Sequence, residues 1–178
     1  MKRFVISLFL LLGLVLPSIC LAKITTDAMC IGGISYGQSM DDVVAKYGDS
    51  IETIRINNPK GYKFVFSAGD GTTFLLRAKD GKVVDLCVYD KSNFRTPYGI
   101  AIGSSFQDVI RMYGNPDEVT DQPEYSFTRL SYYTDKNFFG PEETFYKSIC
   151  GSLNFDITTD GIVKAILFEE KYEYQHDW

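Results

Sequence analysis

The strongest constraint on this chain is a sixteen-residue pattern that occurs twice. Gly33-Ile34-Ser35-Tyr36-Gly37-Gln38-Ser39-Met40-Asp41-Asp42-Val43-Val44-Ala45-Lys46-Tyr47-Gly48 aligns without gaps on Gly99 to Gly114, an offset of 66. Eight positions are identical: Gly33/Gly99, Ile34/Ile100, Gly37/Gly103, Ser39/Ser105, Asp42/Asp108, Val43/Val109, Tyr47/Tyr113 and Gly48/Gly114. Chance seldom produces so many matches in one ungapped window, and repetition at a fixed offset is the mark of a duplicated structural unit.

The repeated segment reads as a short capped helix. Met40, Val43, Val44 and Tyr47 fall at i, i+3, i+4 and i+7, as do Phe106, Val109, Ile110 and Tyr113, which places each set on one helix face. Ser39 and Ser105 stand at the N-cap with Asp42 and Asp108 three residues on, the spacing of a capping box. Gly48 and Gly114 supply the terminating residue. Asp41 and Asp42 read as first-turn acids facing the helix dipole rather than as catalytic carboxylates.

Strand material follows each helix. The first half predicts strands at Ile51–Ile56, Tyr62–Ser67, Thr72–Ala78 and Lys82–Tyr89, with hairpin signals at Gly69-Asp70-Gly71 and Lys79-Asp80-Gly81. The second half predicts Glu124–Tyr133, Thr144–Ile149, Ser152–Thr158 and Ile162–Phe168, with a turn at Asp160-Gly161. Phe74, Leu76 and Ala78, and their counterparts Leu153, Phe155 and Ile157, should face the helices. Thr73, Leu75, Arg77, Ser152, Asn154 and Asp156 should face outward. The last strand of each half is apolar on both faces, as central or covered strands are. The expected fold is α+β: two tandem helix-plus-antiparallel-meander repeats forming one layered body. The first repeat covers 23–90, a connector 91–98, and the second repeat 99–178.

Residues 1–22 stand apart. Lys2 and Arg3 precede a 13-residue apolar stretch from Phe4 to Leu16, then Pro17 and a small-residue site ending at Ala22. This is the form of a secretory signal peptide, and the stretch falls short of the ~20 residues a bilayer span needs. A lipoprotein acylated at Cys20 is the competing reading, disfavoured by Ile19 directly before it. The expected product is exported, periplasmic or secreted, with no stable membrane anchor. Removing Lys2 and Arg3 takes the formal charge from −5 to −7. Cys30, Cys87 and Cys150 remain, so one disulfide with one spare thiol is expected, in any of three pairings.

The acidic balance and the absence of a long basic run argue against a nucleic-acid partner. With one histidine, His176 close to the end, histidine triads and histidine metal clusters lose their usual member. No acid sits in a motif with a base, a nucleophile or an oxyanion element. The expectation is therefore no enzyme, no cofactor and no metal site.

The motif Ile-x-x-Gly-x-Ser-x-x-Asp-Val-x-x-x-Tyr-Gly, followed in the second copy by Asn115-Pro116, resembles the helix signature of the SmpA/OmlA (BamE) family. In that family the helix precedes a small antiparallel meander ending in a Gly-Val hairpin, which Gly161-Ile162-Val163 would match. Two such units in tandem resemble the β-lactamase inhibitory protein (BLIP-like) architecture, whose paired repeats form a broad sheet that grips an enzyme. Members of the BamE family are single-copy lipoproteins, and the first repeat here has Asp49-Ser50 where the family's glycine-x-proline falls. What the resemblance implies is an exported scaffold that works by contact.

About 14 extra residues in the second half hold the candidate contact residues Tyr132, Tyr133, Phe138 and Phe139. Such an aromatic segment reads either as a binding finger rimmed by acids or as a hairpin folded back on the core. The functional expectation is a non-catalytic binding or scaffold protein whose partner is another envelope or secreted protein. The alternatives are a small-ligand or envelope-glycan binding module and an enzyme inhibitor of the β-lactamase inhibitory type.

Overall fold

The computed structural model describes residues 24–57, 60–68, 70–89, 92–135 and 146–174. The signal-peptide segment and the pair Phe138 and Phe139 lie outside the described residues.

The described chain runs β1 (Cys30–Ile31), β2 (Ile34–Ser35), α1 (Met40–Tyr47), β3 (Glu52–Asn57), β4 (Lys60–Ser67), β5 (Thr73–Lys79) and β6 (Lys82–Tyr89). It continues with α2 (Phe106–Tyr113), β7 (Glu118–Gln122), β8 (Phe127–Tyr133), β9 (Tyr146–Thr158) and β10 (Val163–Tyr174). β1 and β2 form a small hairpin, and the other strands form one antiparallel sheet in the order β3-β4-β5-β6-β10-β9-β8-β7. The fold is α+β.

The last strands of the two halves meet at the centre, where Leu167 pairs with Cys87, Leu86 with Phe168 and Val88 with Ile166. At an offset of 80 these are mutually equivalent positions, so a local pseudo-twofold axis passes through the Cys87–Leu167 pair. Both strands are flanked on each side, which accounts for their two apolar faces.

The same backbone bonds tie each helix to the last turn of its own half. Gly37 N–H donates to Val83 O at 2.7 Å and Gly103 N–H to Val163 O at 2.9 Å. Likewise Met40 N–H donates to Gly81 O at 2.9 Å and Phe106 N–H to Gly161 O at 2.8 Å. Gly48 and Gly114 end the helices at φ 77° and 76° with extended ψ, a region essentially reserved for glycine. The caps differ. Ser105 Oγ accepts from Asp108 N–H and the Asp108 side chain returns a bond to the Ser105 N–H, a complete capping box. Ser39 Oγ instead accepts from Asp41 N–H at 3.1 Å, so the box expected at Asp42 is not made.

One apolar core lies between the helices and the sheet. Val43 and Val109 are fully buried at the centre of each helix, against Phe74, Leu76, Leu153 and Phe155. Tyr47 meets Phe74 edge-on at 5.1 Å between ring centres, and Tyr113 meets Phe155 at the same distance. The connector joins this core, since the Phe94 ring lies tilted against Phe74 at 5.4 Å and Tyr47 at 5.9 Å between ring centres. Val44 and Phe106, expected on the buried face, lie at its exposed margin.

Three further expectations need correction. The predicted strands Thr144–Ile149 and Ser152–Thr158 are, from Tyr146 onward, one strand, β9, which runs through Gly151 without a turn because Gly151 pairs with Glu170. β7 was not predicted, and the strand predicted from Glu124 begins at Phe127. Pro123–Tyr125 forms a 3-10 turn, and Ser126 sits in the left-handed region at φ 56°. A strand with Val119 as its one large apolar residue gives no alternation to detect. Finally, no disulfide joins Cys30, Cys87 and Cys150 among the described residues. By register, Cys87 and Cys150 share the sheet face away from the helices but stand two strands apart, and Cys150 lies four residues along β9 from Asn154, the position level with Cys87, well beyond bridging reach. Cys30 belongs to the hairpin on the helix side.

Candidate interaction surface

The sheet face opposite the helices is assigned by register. One rung crosses five strands as Cys87, Leu167, Asn154, Ser131 and Glu118. The next holds Asp156 beside Arg129, and another holds Glu169, Ser152 and Tyr133. This is the face expected to point outward. Its polar side chains are nonetheless mostly covered, for Arg77, Ser131, Ser152, Asn154 and Asp156 are all buried.

Burial at that density demands partners, and the face supplies them. Arg129 Nε and Nη2 donate to the two oxygens of Asp156 at 2.7 and 3.0 Å, a bidentate pair. The hydrogen bond to Asp156 holds the Arg129 guanidinium above its ordinary value. Arg77 pairs with Asp85, whose second oxygen accepts the Glu170 N–H at 3.0 Å and so clamps the seam. Asn154 Nδ2 donates to Ser152 Oγ at 3.0 Å and to Glu169 at 3.3 Å. Cys87 lies among these groups, and burial pushes its thiol up to about 11, away from a reactive thiolate.

The expected contact residues divide between faces. Tyr132 is 2% exposed and belongs to the core, its hydroxyl donating to Gly114 O at 3.0 Å. Burial raises it above the ordinary tyrosine range. It is therefore a packing residue, because neighbouring strand positions point to opposite sides. Tyr133 lies on the open face, its hydroxyl donating to the Glu118 carboxylate and its N–H to Asp117 Oδ2 at 2.7 Å. Burial first, then the bond to Glu118, pushes Tyr133 up to about 12.

The described surface carries a hollow on one face and a groove on the other. A hollow of about 180 Å³ on the open face is bordered by Lys63, Arg77, Asp85, Cys87 and Glu169. A groove of about 830 Å³ on the helix side runs between α2 and the outer strands, lined by Phe106, Ile110, Val119, Thr128, Leu130 and Ile157. Sequence reasoning missed the groove, because Val119 lies on β7, which was not predicted, and Thr128 and Leu130 are the strand positions that pair with β7.

Among the described residues the shifted carboxylates serve structural contacts. Asp70, Asp108 and Glu118 are the carboxylates with a resolved shift, and each is held below its ordinary value by hydrogen bonds. Asp70 serves a turn through Thr72, Asp108 a helix cap and Glu118 the Tyr133 hydroxyl. A general acid needs the opposite displacement. Among the described residues no three His, Cys, Asp or Glu side chains gather as metal ligands, and no helix is long and apolar enough to cross a membrane.

No protein-family model and no curated protein matches the chain, so the likeness to the SmpA/OmlA family rests on the motif residues themselves. An extracellular protein containing an SCP domain from Bacillus anthracis is similar in structure, with a TM-score of 0.50 at 11% identity. That match covers 88% of this chain and 52% of the other, so the chain spans about half its length. A DUF4309 family protein from Bacillus subtilis matches at TM-score 0.46 and 14% identity, covering 84% of this chain and 88% of its own. A candidate β-lactamase inhibitor protein from Streptococcus mutans matches at TM-score 0.30 and 14% identity, over 77% and 83% of the two chains. At 11% identity the likeness to the first of these is one of fold alone.

Proposed function

We propose that the chain is an exported, non-catalytic binding protein that acts by protein–protein contact through the open face of its sheet. The observation that carries this reading is the fixed polar lattice on that face. Arg129–Asp156, Arg77–Asp85 and Tyr133–Glu118 are locked before any partner arrives, which lowers the ordering cost of association. The open-face hollow of about 180 Å³ is small beside the ~300–1,000 Å³ of ligand pockets, which weighs against a small-ligand site there.

In this reading the two halves are copies of one unit, residues 1–22 are removed on export, and Phe138 and Phe139 contribute to binding the partner. Inhibition of an enzyme is one form the contact would take. The test uses residues 23–178 as bait against envelope extract, beside a Phe138→Ser/Phe139→Ser form and a Tyr133→Ala form. A specific partner retained by the parent and lost from both variants is the expected result. Equal recovery on all three baits removes this surface from the proposal.

A further inference from the structure

We infer that the groove beside α2 is a docking site for an extended, basic–apolar peptide segment of a partner protein, which adds as a strand to the free edge of β7. This surface lies on the helix side and shares only Glu118, at the sheet edge, with the open face.

Two observations meet here. The first is the groove, about 830 Å³ and walled by Phe106, Ile110, Val119, Leu130 and Ile157. Val119 and Phe106 are 59% and 37% exposed, so apolar surface is left in water at the mouth. The second is the sheet edge. β7 ends the strand order with β8 on one side and, among the described residues, no strand on the other. Its outer backbone is thus a template for strand addition, the mode by which sheets capture extended peptides.

Charge selects the occupant. Asp117, Glu118, Asp121 and Glu124 border this edge, and all four are exposed, while residues 112–128 contain no Lys or Arg. By strand parity Val119 and Asp121 point toward the groove side and Glu118 toward the opposite side. A strand alternating apolar and basic residues would lay its apolar side chains on Val119 and Leu130 and carry its cations past Glu118. β7 spans about 17 Å, which corresponds to a five- to seven-residue segment. An anionic membrane surface would meet the same four acids and be repelled.

The test is titration of the mature chain with an eight-residue peptide alternating valine and lysine. Its controls are the glutamate version and a form N-methylated on the alternate amides that would face β7. The lysine peptide should bind at least about tenfold more tightly than either control, with the glutamate gap shrinking in 0.5 M salt. Phe106→Ser and Val119→Ser, shown folded by circular dichroism, should each weaken it several-fold. Amide protons of Val119 to Asp121 should gain exchange protection. Equal binding of the lysine and glutamate peptides, indifference to N-methylation, or unchanged binding by both variants overturns the inference. So does concentration-dependent self-association abolished by Val119→Ser, which would make a second copy the occupant.

Discussion

At the scale of single residues, the tightest requirement is at Gly32. It sits at φ +63°, and a Cβ built there would lie 2.4 Å from the Phe94 ring, inside any real contact. The carbonyl of the same residue accepts from the Tyr47 hydroxyl at 3.1 Å and from Lys46 Nζ at 3.2 Å, while its N–H donates to Arg95 O at 2.9 Å. Gly32 thus joins the connector, α1 and the β1–β2 hairpin. Gly32→Ala should cost about 2–3 kcal/mol from backbone strain and displacement of Phe94. A urea midpoint unchanged from the parent would show that Phe94 moves aside freely. Little of this was legible beforehand, since Gly32 lies one residue outside the repeated window and Phe94 was placed in a connector. The fate of Tyr132 was no easier to read, because which of two adjacent tyrosines faces the core depends on strand register, and β7, which fixes the outer half of that register, is nearly featureless in sequence.

At the scale of elements, the two helices show how a repeated pattern can be read correctly and still differ in detail. The period, the cap serine and the terminal glycine place both helices as found, at 40–47 and 106–113. What the pattern does not specify is which N–H the serine oxygen takes. α2 has the reciprocal box and an Arg111–Asp108 contact, whereas α1 has a single cap bond. Ser105→Ala should therefore cost about 1 kcal/mol and Ser39→Ala less, measured by urea unfolding near neutral pH. The Ser105 bonds hold the Asp108 carboxyl below its ordinary value. A group depressed in the folded state stabilises the fold while ionised. Its contribution is present above about pH 4 and lost as pH falls through the depressed value. The stability difference between the parent and Asp108→Asn should accordingly shrink as pH is lowered below 4. A difference constant from pH 6 to pH 3 would contradict the assignment. The strands were legible where turn chemistry was explicit: Asp80 and Gly81 both take positive φ between β5 and β6, as a two-residue hairpin requires. They were illegible where glycine misled, since Gly151 inside β9 is indistinguishable in sequence from a turn.

At the scale of the molecule, a single core and a central seam make the halves depend on each other. Leu86, Val88, Ile166 and Phe168 are buried on both sides of the seam, so neither half closes its core alone. Thermal unfolding should be one cooperative transition, with far-ultraviolet circular dichroism and near-ultraviolet tyrosine signals superimposing. Two resolved transitions would mean that each half folds by itself. The α+β architecture followed from repetition and alternation. The face that carries the polar lattice was also predicted, but not its burial, because ion pairs such as Arg129–Asp156 join residues 27 apart and have no local signature.

The register about the Cys87–Leu167 axis has one more consequence. Half a turn about that axis carries Lys63 onto Arg129, an offset of 66, and Arg77 onto Asp156, an offset of 79. The first exchange keeps the sign of the charge and the second reverses it. Matching backbones therefore present unlike electrostatic patterns to left and right, so a molecule lying across the middle can be read in only one orientation. The fold favours a lopsided visitor over a symmetric one.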